Sequence, residues 1–500
     1  MTTRRDFLAA APALLLEGRR RPNILFAVAD DQSWPHTSAA GDRVVKTPAF
    51  DRVARTGVLF TNAISNSPGC APSRAAILTG RTHWQLEEAG THDSAFPSKF
   101  QVYPGLLEAA GYHVGLTAKG AGPCNWKIGG WKHNPAGQAY GARKLDDVPK
   151  GISAIDYAGN FADFLKARPQ GAPFCFWFGS HEPHRVYLPG SGLKSGKRLE
   201  DVVVPPFLPD CPEVRSDILD YYTEIEYFDR QLGKLLDLLK KAGELDHTLI
   251  VVTADNGMSF PHSKATLYEY GIHLPLAGCW PARVKGGRKI DDLISFCDFA
   301  PTFLEAAGLR IPDVMVGRSF LDVLMSSRSG RVDPKRASAF SGRERHSHAR
   351  FDNLGYPCRA IRSYQYLYIR NFKPERWPAG DPEGFYDIDD GPSKEYVLGN
   401  RNRPDVRRFF EAACGKRPAE ELYDIQKEPG CLENLASSPG HADVRAKLRA
   451  ELERTLIAQK DPRMLGAGDI FESYPRYSAM RPELGGFAQQ GEYNAAYLPK

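Results

Sequence analysis

Six side chains able to bind, polarise or attack stand where apolar runs of the sequence stop. NILFAVADD ends in Asp30 and Asp31, and TLIVVTADNG delivers Asp255 and Asn256. YHVGLTAKG delivers Lys119, and APFCFWFGSHEPH delivers His181, with His184 and Arg185 close behind. Apolar runs of this kind read as buried strands of a parallel sheet, and open α/β sheets bind ligands outside the carboxyl ends of their strands. Asp-Asp and Asp-Asn also form turns and cap helices, so one such ending alone carries little weight. Four endings with polar groups point to one shared rim. Three carboxylates and an amide oxygen converging there form a hard-oxygen cluster, suited to Ca²⁺ or Mg²⁺ and poorly suited to a soft metal. Ca²⁺ is the first expectation, because a carboxylate-rich, flexible sphere leaves room for an anionic substrate oxygen.

One further residue is unusual. In SNSPGCAPSRAAILTGR, from Ser65 to Arg81, Cys70 lies between a Pro-Gly turn and an Ala-rich stretch with helical character. A helix beginning just after it sets Cys70 near a positive helix end, with Arg74 one turn further in, which is an anion site. A thiol there could be a nucleophile of lowered pKa. Thiol nucleophiles, however, are usually served by a His base, and a hard cation is a strange neighbour for sulfur.

The elements that must position these groups follow from patterning. TPAFDRVARTG has a capping Thr47, a proline at the first helical position and a closing Gly57, and so predicts a helix. A short helix PGLLEAAG, an amphipathic helix from about Asp217 to Ala242 and the helix DFAPTFLEAAGL alternate with the strands. The fold class is therefore α/β, a large mostly parallel sheet sandwiched by helices. Near Ser326 the chain turns polar and Arg-rich, and CRAIRSYQYLYIRNF then alternates as antiparallel strands do. PGHADVRAKLRAELERTLIAQ closes with a helical charge pattern. The division expected is residues 1–21 as leader, 22–335 as the catalytic domain and 336–500 as a smaller C-terminal α+β domain with an antiparallel sheet.

With 500 residues and 42% hydrophobic content the chain can bury a large core, and its net charge of +5 lacks the basic runs of a nucleic-acid binder. Arg4 and Arg5 followed by an apolar run to Leu16 resemble a twin-arginine export signal. That run is roughly half of the ~20 residues that span a bilayer, and no later run reaches that length. An exported protein, periplasmic or extracellular, without a stable membrane span is expected, with the Tat machinery as a partner. Nine cysteines (70, 124, 175, 211, 279, 297, 358, 414 and 431) contain no CxxC pair, which argues against a zinc or redox site. Export would permit some of the other eight to pair, but burial as free thiols is the simpler expectation.

Cys70-Ala71-Pro72-Ser73-Arg74 with Leu78-Thr79-Gly80-Arg81 resembles the C-x-P-S-R…L-T-G-R signature of the formylglycine-dependent sulfatases, in the alkaline phosphatase superfamily. The resemblance extends through NILFAVADD and TADNG to ELYDIQKEPGCLENLA, nearly the whole chain. SHEPHR, TADNGMSFPHSKATLYEYG and YPCRAIRSYQYLYIRNF look closer still to the sulfamidases, the heparan N-sulfatases. The resemblance implies that a formylglycine-generating enzyme or its equivalent converts Cys70 to Cα-formylglycine, whose hydrate is the nucleophile. It implies that Asp30, Asp31, Asp255, Asn256 and the modified Cys70 bind Ca²⁺, and that Arg74, Lys119, His181 and Lys264 contact the sulfate or the bridging atom. Asp255 or the metal would help deprotonate the hydrate, and His181 could protonate the departing atom.

The chain also departs from the family. Many sulfatases carry Lys-x-His where this sequence reads Lys119-Gly120-Ala121, so the usual base for sulfate release is missing; His184, His346 or the metal-bound environment is left to replace it. Lys264 stands where sulfamidases carry arginine, keeping charge without a bidentate grip. For the saccharide, His184, Arg185, Arg345 and His346 are the candidate contacts, with Arg343 and Glu344 beside them in SGRERHSHAR and with Trp126 and Trp131 as platforms for a sugar ring. The expected activity is release of sulfate from a sulfated saccharide, N-sulfoglucosamine of heparin or heparan first. The alternatives are an O-sulfatase on another glycan or aryl sulfate, a phosphonate or phosphodiester hydrolase, and a silent glycan-binding protein if Cys70 stays unmodified.

Overall fold

A computed structural model describes residues 20–498, so nearly all of the expected export leader lies outside the described residues. The large sheet has nine strands: β1 (Asn23–Ala29), β2 (Val58–Ile64), β3 (His113–Ala118), β4 (Gln138–Ala139), β5 (Phe174–Gly179), β6 (Thr248–Ala254), β7 (His273–Cys279), β8 (Arg288–Ile290) and β9 (Ile294–Ser295). Their order is β4-β3-β5-β1-β6-β7-β2-β8, with β9 also on β2. Only β7 runs antiparallel to its neighbours, β6 and β2.

β1 shows why the apolar runs lack alternation. Ile24, Phe26 and Val28 pack on one face with Ile77 and Leu78 of helix α2 (Cys70–Thr79) and the helix Phe299–Ala306. Leu25, Ala27 and Ala29 face the other side, against helix α1 (Pro48–Thr56), Tyr157–Ala167 and Pro212–Lys241. Both faces are covered, so both parities are apolar. The long helix starts five residues earlier than its apolar pattern suggested, because Pro212 suits the first helical turn and Glu213 the positive end. No described helix is long and apolar enough to cross a membrane.

A second sheet, antiparallel in the order β10 (Ala339–Arg343), β11 (Cys358–Arg362), β12 (Tyr366–Asn371), β13 (Glu420–Asp424), comes from the later part of the chain. Ala360, Leu367 and Ile369 pack against Leu267, Tyr268 and Ile272, the segment leading into β7. Ile361, Tyr368 and Leu422 lie under Leu448, Leu452 and Leu456 of the helix Ala442–Ala458. The two sheets are tied by a buried ion pair: Arg362 donates to Glu269 at 3.1 Å through both Nε and Nη2, and His273 Nδ1 lies 3.0 Å from Glu269 Oε2. Burial alone would raise the Glu269 carboxyl, yet Arg362 and His273 hold it at about 2.

Glu269→Gln is therefore expected to lower the unfolding free energy by on the order of 3 kcal/mol at neutral pH, since it strands Arg362. The folded carboxyl lies below its ordinary value of ~4.3, so its contribution is present above that value and disappears as pH falls through about 2. Urea unfolding of both proteins should show the difference at pH 7 and its shrinkage towards pH 2.

Candidate active site

The carboxyl ends of β1, β3, β5 and β6 bring Asp30, Asp31, Lys119, His181, Asp255 and Asn256 to one rim, as expected from their places after the apolar runs. Close backbone approach sets Lys119: a Cβ on Gly179 would stand 1.8 Å from the Lys119 carbonyl oxygen, so only glycine fits there. Asp31 (φ 70°), Ala118 (φ 61°) and Ala265 (φ 59°) are left-handed without being glycine, each in or beside a charged residue of the site. Such conformations persist where surrounding structure imposes them, and they concentrate at functional sites.

α2 begins at Cys70 itself, one residue earlier than the sequence suggested, with Gly69 as its N-cap, and all ten of its residues are buried. It therefore carries Arg74 through the core to the rim. Arg74 Nε donates to Asp255 Oδ2 at 2.7 Å and Nη1 donates to the carbonyls of Lys119 (2.7 Å) and Gly120 (3.1 Å), while buried Nη2 has no partner. Lys119 Nζ donates to Asp30 Oδ2 at 2.5 Å. Lys264 Nζ donates to Asp31 Oδ2 at 2.8 Å, lies 2.9 Å from Asp389 Oδ2 and 3.2 Å from His184 Nε2. Anions and cations thus alternate across the rim.

Burial opposes charge on all these groups, and the pairing decides the outcome. Asp30 is held well below the usual carboxylate range, because Lys119, His184 and Arg74 outweigh burial. In Asp31 burial prevails over Lys264 and the carboxyl is raised. Lys119 and Lys264 rise despite burial, through Asp30 and Asp31 respectively. Burial pushes the Cys70 thiol well up, with Asp30 and Asp255 reinforcing it against Lys119. That direction runs against the low-pKa thiol nucleophile considered from the sequence.

The donor set fits a hard divalent cation. Asp30, Cys70 and Asp255 each offer an atom within 4.8 Å of the others. Asn256 Nδ2 donates to Asp31 Oδ1 at 2.6 Å, which leaves its buried Oδ1 as an acceptor with no donor. Cys70 Sγ lies 3.6 Å from Asp30 Oδ1 and 4.0 Å from Asp31 Oδ1. Sulfur is the one soft atom in the set, and an oxygen at position 70 would remove the mismatch.

Beside this cluster opens a pocket of about 590 Å³, lined among others by Asp30, Lys119, Gly122, Ile152, His181 and His184. His181 is exposed to it, its backbone N–H donating to Tyr157 Oη at 3.2 Å. Loss of water to the pocket walls lowers the imidazole to about 4, against the pull of Asp30 and aided by Lys119 and Arg74. His184 is fixed by the carbonyl of Arg185, 2.7 Å from Nδ1, which makes Nε2 the acceptor towards Lys264.

Other expected contacts do not reach the pocket as free groups. Arg345 is a correction: it is fully buried, donating to the carbonyls of Tyr474 (2.6 Å) and Pro475 (3.0 Å) and to Ser94 Oγ (2.8 Å). Arg343 and Glu344 are likewise committed, to Asp387 and to Arg359 with Arg463. Arg185 borders the pocket, but its guanidinium grips Asp217 through two bonds of 2.7 Å under the rings of Tyr187 and Phe260. Trp131 donates to the carbonyl of Phe96 and, like Trp126, packs on the core. His346 is buried beside Gly69. All nine cysteines are free, seven of them buried. Sequence reasoning missed Asp389, whose only signal, a second acid in DIDDGP, is indistinguishable from a turn.

Comparison with known proteins agrees with this geometry. Residues 22–309 match the Sulfatase family, and residues 260–393 match the family described as N-sulphoglucosamine sulphohydrolase, C-terminal. An ulvan-active sulfatase of Formosa agariphila is 30% identical over 451 residues, covering 88% of this chain and 81% of its own. The human N-sulphoglucosamine sulphohydrolase is 27% identical, covering 93% of this chain and 96% of its own. A solved structure, in complex with its substrate D-glucosamine-2-N,6-O-disulfate, superposes with a TM-score of 0.64 at 21% identity, covering 88% of this chain and 98% of that one, which shows the shared fold. Strand order, rim and family matches lead to one conclusion: the chain belongs to the sulfatase family and is a sulfuric ester or N-sulfoglucosamine sulfohydrolase.

Proposed function

We propose that the protein releases sulfate from a sulfated saccharide, with N-sulfoglucosamine as the favoured unit, using Ca²⁺ and a formylglycine made from Cys70. The observation that carries this reading is the pair of orphaned buried atoms, Asn256 Oδ1 and Arg74 Nη2: an acceptor for a cation and a donor for an anion at one rim. Asp30, Asp31, Asp255, Asn256 and position 70 would hold the cation, which would supply Lewis-acid polarisation of sulfate oxygens.

Charge supports the same reading. Asp30, Asp31, Asp255 and Asp389 face Arg74, Lys119 and Lys264, leaving one negative charge in excess when all are ionised. A divalent cation turns that excess positive, the sign a sulfate monoanion requires. Arg74, Lys119 and Lys264 then hold the sulfuryl oxygens, and His181, on the open side, donates a hydrogen bond from its neutral imidazole N–H to the departing nitrogen or oxygen. A hydrated aldehyde at position 70 supplies an oxygen nucleophile and a second hydroxyl, which a serine lacks. The N-sulfate preference is supported by the human relative and by the C-terminal family match, which spans both Lys264 and Asp389. We place residues 1–21 as an export leader and the functional division near residue 335, with the protein acting outside the cytoplasm after conversion by a formylglycine-generating partner.

Sulfate release is expected to be fastest from N-sulfoglucosamine when compared with 6-O-sulfated sugars and an aryl sulfate. No turnover of the N-sulfate would end the sulfamidase reading, and no turnover of any of them would end the sulfatase mechanism for this chain. Cys70→Ala should abolish turnover, whereas Cys70→Ser should at most trap a sulfated enzyme; multiple turnover by the serine variant would contradict the need for a second hydroxyl. Ca²⁺ at a hundredfold excess over its Kd should raise stability by about 2.7 kcal/mol. Asn256→Ala should weaken calorimetric Ca²⁺ binding about tenfold or more, about 1.4 kcal/mol.

A further inference from the structure

Outside the rim, one buried imidazole lies against the residue that precedes Cys70. His346 is 7% exposed, and neither ring nitrogen has a hydrogen-bond partner. A Cβ placed on Gly69 would stand 3.0 Å from His346 Cδ2 and 3.6 Å from Nε2, so that edge of the ring lies against the residue bonded to Cys70. The opposite edge faces a carboxylate, with Nδ1 3.5 Å from Asp387 Oδ1. Asp387 is itself fixed: Oδ2 accepts from Arg343 at 2.5 Å and pairs with Arg350 at 2.8 Å, and Oδ1 accepts from the Ser347 N–H at 2.9 Å. The His92 ring packs on His346 at 4.6 Å between centroids.

Buried polar atoms normally find partners. His262 shows what a structural histidine does in this chain, with Nδ1 2.6 Å from the Ala412 carbonyl and Nε2 2.9 Å from that of Gly430. His83 also leaves both nitrogens free, but it abuts Gly342 with the positive charge of Arg359 beside it. His184 has both nitrogens engaged. His346 thus combines an unpartnered Nε2, a clamped carboxylate 3.5 Å from Nδ1 and, at its other edge, Gly69, the residue bonded to Cys70, much as a proton acceptor stands between an acid and its donor.

We propose that His346, oriented by Asp387, takes the proton from the hydroxyl at position 70 as sulfate departs. This rests on the formylglycine reading above. The proton passes to Nε2, the O–H electron pair becomes the second bond of the aldehyde C=O, and the C–O bond to sulfate breaks with its pair leaving on sulfate. His346 is assigned as a catalytic residue and Asp387 as its positioning residue.

The test compares wild type with His346→Gln and Asp387→Asn, after peptide mass spectrometry has shown equal aldehyde content at position 70. Wild type must first show the aldehyde and release sulfate; if it does not, the formylglycine reading itself fails. With that established, His346→Gln is expected to lose about 10²–10⁴-fold in kcat. KM should fall with kcat, and the peptide containing position 70 should accumulate a sulfuryl group under excess substrate. Asp387→Asn should show the same accumulation with a smaller loss. Should glutamine disturb packing, His346→Asn supplies the same mass readout. A kcat within about threefold of wild type overturns the proposal, and so does a raised KM with no sulfurylated peptide, which would make His346 a saccharide contact instead.

Discussion

Everything at the rim depends on keeping three carboxylates shut away from water. Asp30, Asp31 and Asp255 are essentially without solvent contact, and an ionised group in that position without a partner costs several kcal/mol. Arg74, Lys119 and Lys264 interleave with them, each arriving from a different element: α2, the end of β3 and the loop after β6. The core helix α2, the Gly179 approach and the left-handed Ala118 and Ala265 all serve that interleaving. The lattice of charge is nearly balanced before any ligand enters, so one divalent cation would reverse its sign.

The second sheet contributes more than support. Through Glu269 and Arg362 it is fixed to the segment that leads into β7, and the loops around it deliver Asp389 to Lys264 and His346 with Asp387 to Gly69. The surroundings of the rim are therefore completed by residues 82 to 125 positions beyond Lys264. A family match to an N-sulphoglucosamine sulphohydrolase C-terminal region spans the same residues.

Much of the rim was legible because its signals are local. A strand buried on both faces is an unbroken apolar run, and an acid pair at its end is conspicuous. The helix after Cys70 was visible from its composition, though its first residue was placed one position late. Asp389, Asp387 and His92 were not legible, since turns carry no periodicity and only long-range packing brings them in. Arg345 was misread for a related reason: a charged string resembles a solvated loop until the carbonyls of Tyr474 and Pro475, far along the chain, are seen to enclose it. Lys264 and the absent histidine at Ala121 were visible as departures, but the unpartnered nitrogens of His346 were not, because only packing against Gly69 and Asp387 sets them apart.

The central claim is that Cys70 works as an oxygen-bearing residue, completing a set of hard ligands that its sulfur interrupts. Mass spectrometry of the peptide spanning Cys70, from active protein made in its native host, tests this most directly. The expected result is the mass loss for conversion of thiol to aldehyde in the fraction that turns over substrate. An intact thiol throughout a preparation that still releases sulfate would contradict the account.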